Sequence, residues 1–352
     1  MKKTLFLFTL LISALSLNAH ANENIPLQHF FCDSAMTSGS LSPDGKYFAS
    51  MVPASGAKCA IEEIDDPQAA RVLLVIDLET NTPKVLSGTR GKSRLTGFTW
   101  ISDTRIAFYR QPEAGLDAYS MWAINADGTK PKELVPGKWE DGYPTGANIL
   151  DRMKDDDRHV LVSYNKRRPK YTDVYKLNIF SGKLTMVAKD PVIDGQTSLG
   201  WAVDQQGLVR GYVAVKGLYT YLYHRNDADS DFELLRKFKF QEASFGPAAY
   251  SYDPRYVYMR GQAIAADGTV IDDSDTDALW LYDAYEDEFI EKIYENDRYD
   301  VGGIAISSKT EEPAFIAYYG DKPEKIWIDK DLEQVYASIE ASFPNDQVSI
   351  GG

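Results

Sequence analysis

The stretch LSPDGKYFAS, Leu41–Ser50, decides the fold. Ser-Pro-Asp-Gly is turn chemistry, since Pro pre-sets one dihedral, Asp bonds its own backbone and Gly accepts positive φ. The alternating Tyr47-Phe48-Ala49 that follows is the start of a strand with one buried face. One hairpin says little, but this one returns. After it come VLLVIDLETNTPKVLS (Val72 to Ser87), then FTWISDTRIAFYRQ (Phe98 to Gln111) with SMWAINADGTKPKELV (Ser120 to Val135). The couplet recurs as ILDRMKDDDRHVLVSYN (Ile149 to Asn165) with DVYKLNIFSGKLTMVA (Asp173 to Ala188), and as GWAVDQQGLVRGYVAV (Gly200 to Val215) with TYLYHRNDADSDFELLRKF (Thr220 to Phe238). A fifth copy is AAYSYDPRYVYMRG (Ala248 to Gly261) with ALWLYDAYEDEFIEKIYE (Ala278 to Glu295), and a sixth runs from IAISSKTEEPAFIAYY (Ile304 to Tyr319) to KIWIDKDL (Lys325 to Leu332).

A unit of four short strands repeating about every 50 residues is a propeller blade, which buries its two faces only by stacking on neighbours. A pair of β-sandwiches would also show short strands and turns, but does not require the same couplet six times. The expected fold is therefore an all-β propeller of about six recognisable four-stranded blades, with a seventh unfinished. One helix is expected late, over residues 331–343, with Asp331 as N-cap, Leu332, Val335, Ile339 and Phe343 as its apolar stripe, and Pro344 as the stop.

The chain has 352 residues and a formal charge of −14, which argues against nucleic acid or an anionic membrane as a partner. Lys2 and Lys3, the apolar run Leu5 to Leu17 and the small-x-small site Ala19-His20-Ala21 read as a secretory signal peptide over residues 1–21. That run is too short to span a bilayer, and no later stretch approaches the roughly 18 apolar residues a span needs. Export to a Gram-negative periplasm follows, with a propeller domain over 22–352. Cys32 and Cys59 are the two cysteines; in an oxidising compartment they stand either as a local disulfide or as two separate buried thiols.

Several segments then resemble a known family. SPDGKYFA, YNKRRPKYTDVYKLNIFSGKLTMVAKDP (Tyr164 to Pro191), GWAVDQQGLVRGYVAV and ENDRYDVGGIAIS (Glu295 to Ser307) look like the N-terminal propeller of secreted bacterial serine peptidases of the prolyl oligopeptidase family, of the dipeptidyl-aminopeptidase and acylaminoacyl-peptidase types. The resemblance implies a last blade and an α/β-hydrolase domain carrying the catalytic Ser, Asp and His, with the propeller filtering peptides. On that resemblance the hydrolase domain is expected to be absent from this chain, which ends at Gly351-Gly352. The expected partners are peptides or a separate hydrolase domain or chain.

The residues themselves offer little chemistry. No G-x-S-x-G nucleophile elbow occurs, and GTRGKS (Gly88 to Ser93) is neither an elbow nor a phosphate loop, because Leu86 stands where the latter needs Gly. His29, His159 and His224 are far apart in sequence, so no triad, and no catalytic residue, is assigned. DADSD (Asp227 to Asp231) and DDSDTD (Asp272 to Asp277) have the alternate oxygens of a calcium loop. Counted from Asp227, however, positions six and twelve are Phe232 and Phe238; counted from Asp273, they are Ala278 and Ala284. Solvated turns are expected there, with no metal and no cofactor. The basic run Lys166, Arg167 and Arg168 is a candidate for contact with a peptide carboxylate in the channel, the plainer reading being a loop between two strands. The 22 Tyr, 15 Phe and 6 Trp alternate along strands, as in Tyr219, Tyr221 and Tyr223, and are read mainly as packing between blades. The rival to a peptidase propeller is a non-catalytic periplasmic scaffold of the TolB kind.

Overall fold

The computed structural model describes residues 36–54, 71–88, 93–111, 118–191, 193, 195–272, 274–345 and 348. Residues 1–21, Cys32, Cys59 and most of the GTRGKS segment lie outside the described residues. Blade 1 comprises β1 (Thr37–Leu41), β2 (Tyr47–Pro53), β3 (Arg71–Asp77) and β4 (Thr82–Ser87). Blade 2 is β5 (Arg94–Ser102), β6 (Arg105–Gln111), β7 (Ser120–Asn125) and β8 (Lys132–Val135). A short hairpin, β9 (Lys138–Glu140) with β10 (Tyr143–Thr145), precedes blade 3: β11 (Ala147–Asp151), β12 (His159–Arg168), β13 (Tyr171–Asn178) and β14 (Leu184–Ala188). Blade 4 is β15 (Thr197–Val203), β16 (Val209–Lys216), β17 (Tyr219–His224) and β18 (Glu233–Lys239). Blade 5 is β19 (Phe245–Tyr250), β20 (Tyr256–Gly261), β21 (Ala278–Asp283) and β22 (Glu288–Tyr294). Blade 6 has three strands, β23 (Val301–Ile306), β24 (Pro313–Tyr319) and β25 (Pro323–Trp327), followed by helix α1 (Lys330–Ser342). All pairings are antiparallel between consecutive strands, so each expected couplet is one sheet.

The opening hairpin is the β1–β2 turn, with Leu41 opposite Phe48. Ser42 Oγ donates to Asp44 at 2.7 Å and accepts from the Tyr47 N–H at 3.0 Å, while Gly45 sits at φ +71°. Only glycine holds that dihedral without a Cβ penalty.

Strand alternation sends successive residues to opposite blade faces, and the core is divided accordingly. In β12, Val160, Val162 and Tyr164 pack towards blade 2 with Met121, Ala123 and Val135, whereas Leu161 packs towards blade 4 with Val209. In β20, Val257 and Met259 join Leu222 and Phe238 of blade 4, while Tyr258 joins Val301 and Ile316 of blade 6. Blades 1 and 2 share Leu73, Val75, Trp100 and Ile106. Every interface is thus between sequence neighbours, which is what radial stacking requires. Among the described residues no core cluster joins blade 6 to blade 1.

Three details differ from the sequence expectation. The sixth sheet stops at three strands, and the helix is capped by Asp329, whose carboxylate accepts from the Leu332 N–H at 3.0 Å; Asp331 lies in the first turn instead. The expected apolar stripe is only partly covered: Leu332, Val335 and Phe343 are 37%, 55% and 50% exposed, and Ile339 is half-buried. Tyr336 is the buried residue of the helix, its ring 5.0 Å from Trp327, which meets Phe315 edge-on at 5.0 Å. Phe315 alternates with Ile316, so α1 covers the face of blade 6 that points away from blade 5.

Candidate functional site

Because strands alternate in direction, the first-to-second and third-to-fourth turns of every blade fall at one end of the molecule. The second-to-third turns and the links between blades fall at the other. The first strands of neighbouring blades stand side by side, β1 with β5, β11 with β15 and β19 with β23, and so line the axis.

At the turn end, four blades are tied together. Gln205 Nε2 donates to the carbonyls of Tyr250 at 2.9 Å and Glu311 at 3.2 Å, Gln206 Nε2 donates to that of Tyr252 at 2.9 Å, and Lys154 pairs with Glu311. Asp156 lies here as well, held well below the usual carboxylate range chiefly by Lys176 and also by His159. A mixed-charge pocket of about 440 Å³ remains around Asp151, Lys176 and Ser307.

Exposed apolar side chains occur at both ends: Leu41, Leu78, Tyr252 and Tyr285 at the turn end, and at the link end Trp139 and Tyr143 on the β9–β10 hairpin, Leu199, Leu218, Ile271 and Tyr319, the last two 61% and 70% exposed. The hairpin itself was legible in Asp141-Gly142, a two-residue turn with both φ positive at 50° and 80°, which is the type I′ signature. The sequence reading passed over it because the flanking strands are three residues each.

Asn165 fixes this hairpin to the β12–β13 turn. Its carboxamide donates to the Pro144 carbonyl at 2.8 Å and the Pro169 carbonyl at 2.9 Å, and accepts from the Gly146 N–H at 2.9 Å. Between these elements and blade 2 lies a pocket of about 530 Å³, bordered by Thr96, Tyr109, Tyr119, Asn148 and Thr172. Burial raises the Tyr109 phenol above its ordinary pKa, so it stays neutral.

The basic run sits on the same β12–β13 hairpin, and the structure separates its members. Arg167 makes a bidentate pair with Asp173, Nε to Oδ2 at 2.9 Å and Nη2 to Oδ1 at 2.7 Å, and Nη2 also reaches the Asp190 carbonyl at 3.3 Å. Asp173 is wholly buried and additionally accepts from the Asp190 N–H and the Tyr175 hydroxyl. Burial, reinforced by the Asp173 charge, pushes Tyr175 up to about 12. Lys166 and Arg168 alternate with Arg167 and are exposed, Lys166 bordering a second pocket of about 380 Å³ with Lys138, Glu140 and Tyr164. Lys170, one residue beyond Pro169, places its ammonium 5.1 Å from the Tyr143 ring.

The described histidines are not brought together. His159 bonds Asp156 at 2.9 Å in blade 3; His224 is buried between blades 4 and 5, 3.4 Å from the Tyr250 hydroxyl, with its pKa lowered to about 4 first by burial and then by Arg210. Asp227 caps its own turn by accepting from the Asp229 and Ser230 N–H groups, and Asp272 pairs with Lys292 at 3.0 Å. No group of three metal-ligating side chains occurs among the described residues, and no described helix is long and apolar enough to cross a membrane.

No family model matches the chain. It is similar to dipeptidyl aminopeptidase BIII of Pseudoxanthomonas mexicana, 23% identical over 324 residues, covering 87% of this chain and 40% of that protein, so it spans about two fifths of the length of this curated relative. A solved structure from work on two prolyl endopeptidases superposes over 82% of this chain and 40% of its own, with a TM-score of 0.53 at 14% identity. The β-propeller domain of the Trilobed protease of Pyrococcus furiosus covers 83% of this chain and 82% of its own at a TM-score of 0.48 and 14% identity. The six stacked sheets make this chain a β-propeller, similar in sequence to part of a dipeptidyl aminopeptidase and in fold to part of a prolyl endopeptidase structure.

Proposed function

We propose that the chain is the peptide-binding, substrate-gating propeller portion of a prolyl oligopeptidase-like serine peptidase. The observation that carries this reading is the sequence similarity to dipeptidyl aminopeptidase BIII, over 87% of this chain but 40% of that protein, in a chain that folds as six stacked antiparallel sheets.

In this reading residues 1–21 are a signal peptide and 22–352 an exported, periplasmic propeller domain. Lys166 and Arg168 offer exposed positive charge to a peptide carboxylate, and Arg167 holds the hairpin that presents them. Acyl transfer belongs to the hydrolase unit, whose serine, aspartate and histidine this chain does not supply.

The test is peptidase activity on dipeptidyl and acyl-aminoacyl chromogenic substrates, measured for the purified chain alone and after mixing with the product of the adjoining reading frame. Turnover in the mixture only is the expected result. Turnover by the chain alone would overturn the division of labour, and silence in both would favour the scaffold.

A further inference from the structure

The pocket of about 530 Å³ between blades 2 and 3 has no charged side chain in its lining, in a chain where 26% of residues are charged. Its polar groups fall into two sets. Thr145, Asn165 and Thr172 are engaged inside the protein, with the Lys138 carbonyl, the two hairpins and Ser198 respectively. Thr96, Tyr119 and Asn148, by contrast, have side-chain oxygens and an amide that meet no other described protein group. Hydroxyls and a carboxamide both donate and accept, which is what a peptide bond, with one N–H and one C=O, asks of its surroundings. Tyr109, Pro144 and Ile149 supply apolar wall for side chains of modest size. An ionised side chain entering here would lose hydration and find no counter-charge.

We infer that this pocket holds an uncharged, extended stretch of peptide, its main-chain groups bonded by Thr96, Tyr119 and Asn148. The inference rests on the reading of the chain as a peptide-binding propeller and moves its selectivity away from the basic hairpin: Lys166 and Arg168 are not in this lining. Selection would then act against charge within the bound stretch and be indifferent to which small neutral residues compose it.

The experiment is calorimetric titration of the whole chain with hexapeptides acetylated and amidated at their ends, one neutral, one with a central Glu and one with a central Lys. The neutral peptide is expected to bind at least tenfold more tightly than either charged one, and N148D to weaken it at least tenfold. Asn148 is exposed, so N148A serves as a second variant whose thermal unfolding should match the parent while its binding falls. Equal binding of the three peptides, unchanged binding by N148D and N148A, or tighter binding of a neutral oligosaccharide would overturn the inference. Peptide binding lost on K166A with R168A but untouched by N148A would overturn it and leave the peptide-binding reading standing, whereas binding of no peptide at all would remove both.

Discussion

Arg167 and His224 show what single residues do here. Both lie at blade junctions, one paired and one buried neutral. Removing one partner of a buried pair leaves an uncompensated charge, which costs far more than the pair contributes. Asp173 is fully buried, so R167A should destabilise the chain by roughly 3 kcal/mol in urea unfolding, softened only by the Asp190 N–H and Tyr175 hydroxyl that still reach the carboxylate. R167K keeps the charge but loses the two-pronged geometry, and should fall between. His224 acts through pH. Its pKa is about 4 in the folded chain against 6.5 for an ordinary histidine, so the unfolded chain takes up the proton first as pH falls. Stability is fully present above about pH 6.5 and is lost progressively towards pH 4, by up to roughly 3 kcal/mol. Unfolding measured at half-unit steps should show this slope in the parent, and H224Q should flatten it in that window. Neither role was visible in the sequence: Asp173 follows Arg167 by six residues, but only the hairpin register brings their side chains together across the turn.

At the scale of elements, helix α1 is the informative one. Its existence and length were legible from apolar spacing and from Pro344, but its seat was not. A stripe of Leu332, Val335 and Ile339 says that one side is apolar, and gives no hint that Tyr336, one turn from Leu332 on that same side, is the residue that meets an aromatic pair on β24 and β25. The partner decides which residue of that side is buried deepest, and the partner here is Phe315 with Trp327 and the Lys325 ammonium, 3.7 Å from the Tyr336 ring. The Asp329 cap should contribute about 1 kcal/mol, so D329A is expected to raise amide exchange over residues 330–342 without altering the sheets. Protection unchanged in that segment would show that Tyr336 alone holds the helix. The β9–β10 hairpin gives the complementary lesson, for its turn was written in Asp141-Gly142 while its position over the 530 Å³ pocket depends on Asn165.

Over the whole molecule, stability is a sum of nearest-neighbour interfaces, and blade 6 is set apart by having a sheet on one side and a helix on the other. Leu279 is wholly buried in the junction between blades 5 and 6. L279A should cost roughly 2–5 kcal/mol, and hydrogen exchange should rise first in β23–β25 and α1, leaving the junctions of blades 1 to 3 protected. Uniform loss of protection would mean that the sheets unfold as one unit.

The sequence by itself determined the repeat. Alternation and turn residues act within a few positions of one another, so six antiparallel sheets, their order and the hairpin at Leu41–Ser50 follow from local chemistry. What only the tertiary structure decided is everything that depends on residues distant in the chain arriving at the same place: the pairing of Arg167 with Asp173, the burial of His224 against Tyr250, the face on which α1 sits, and the gathering of Thr96, Tyr119 and Asn148 around one uncharged pocket. Period and propensity specify which way a side chain points from its own strand; what it meets there is set by the neighbouring blade, through packing that no local pattern encodes.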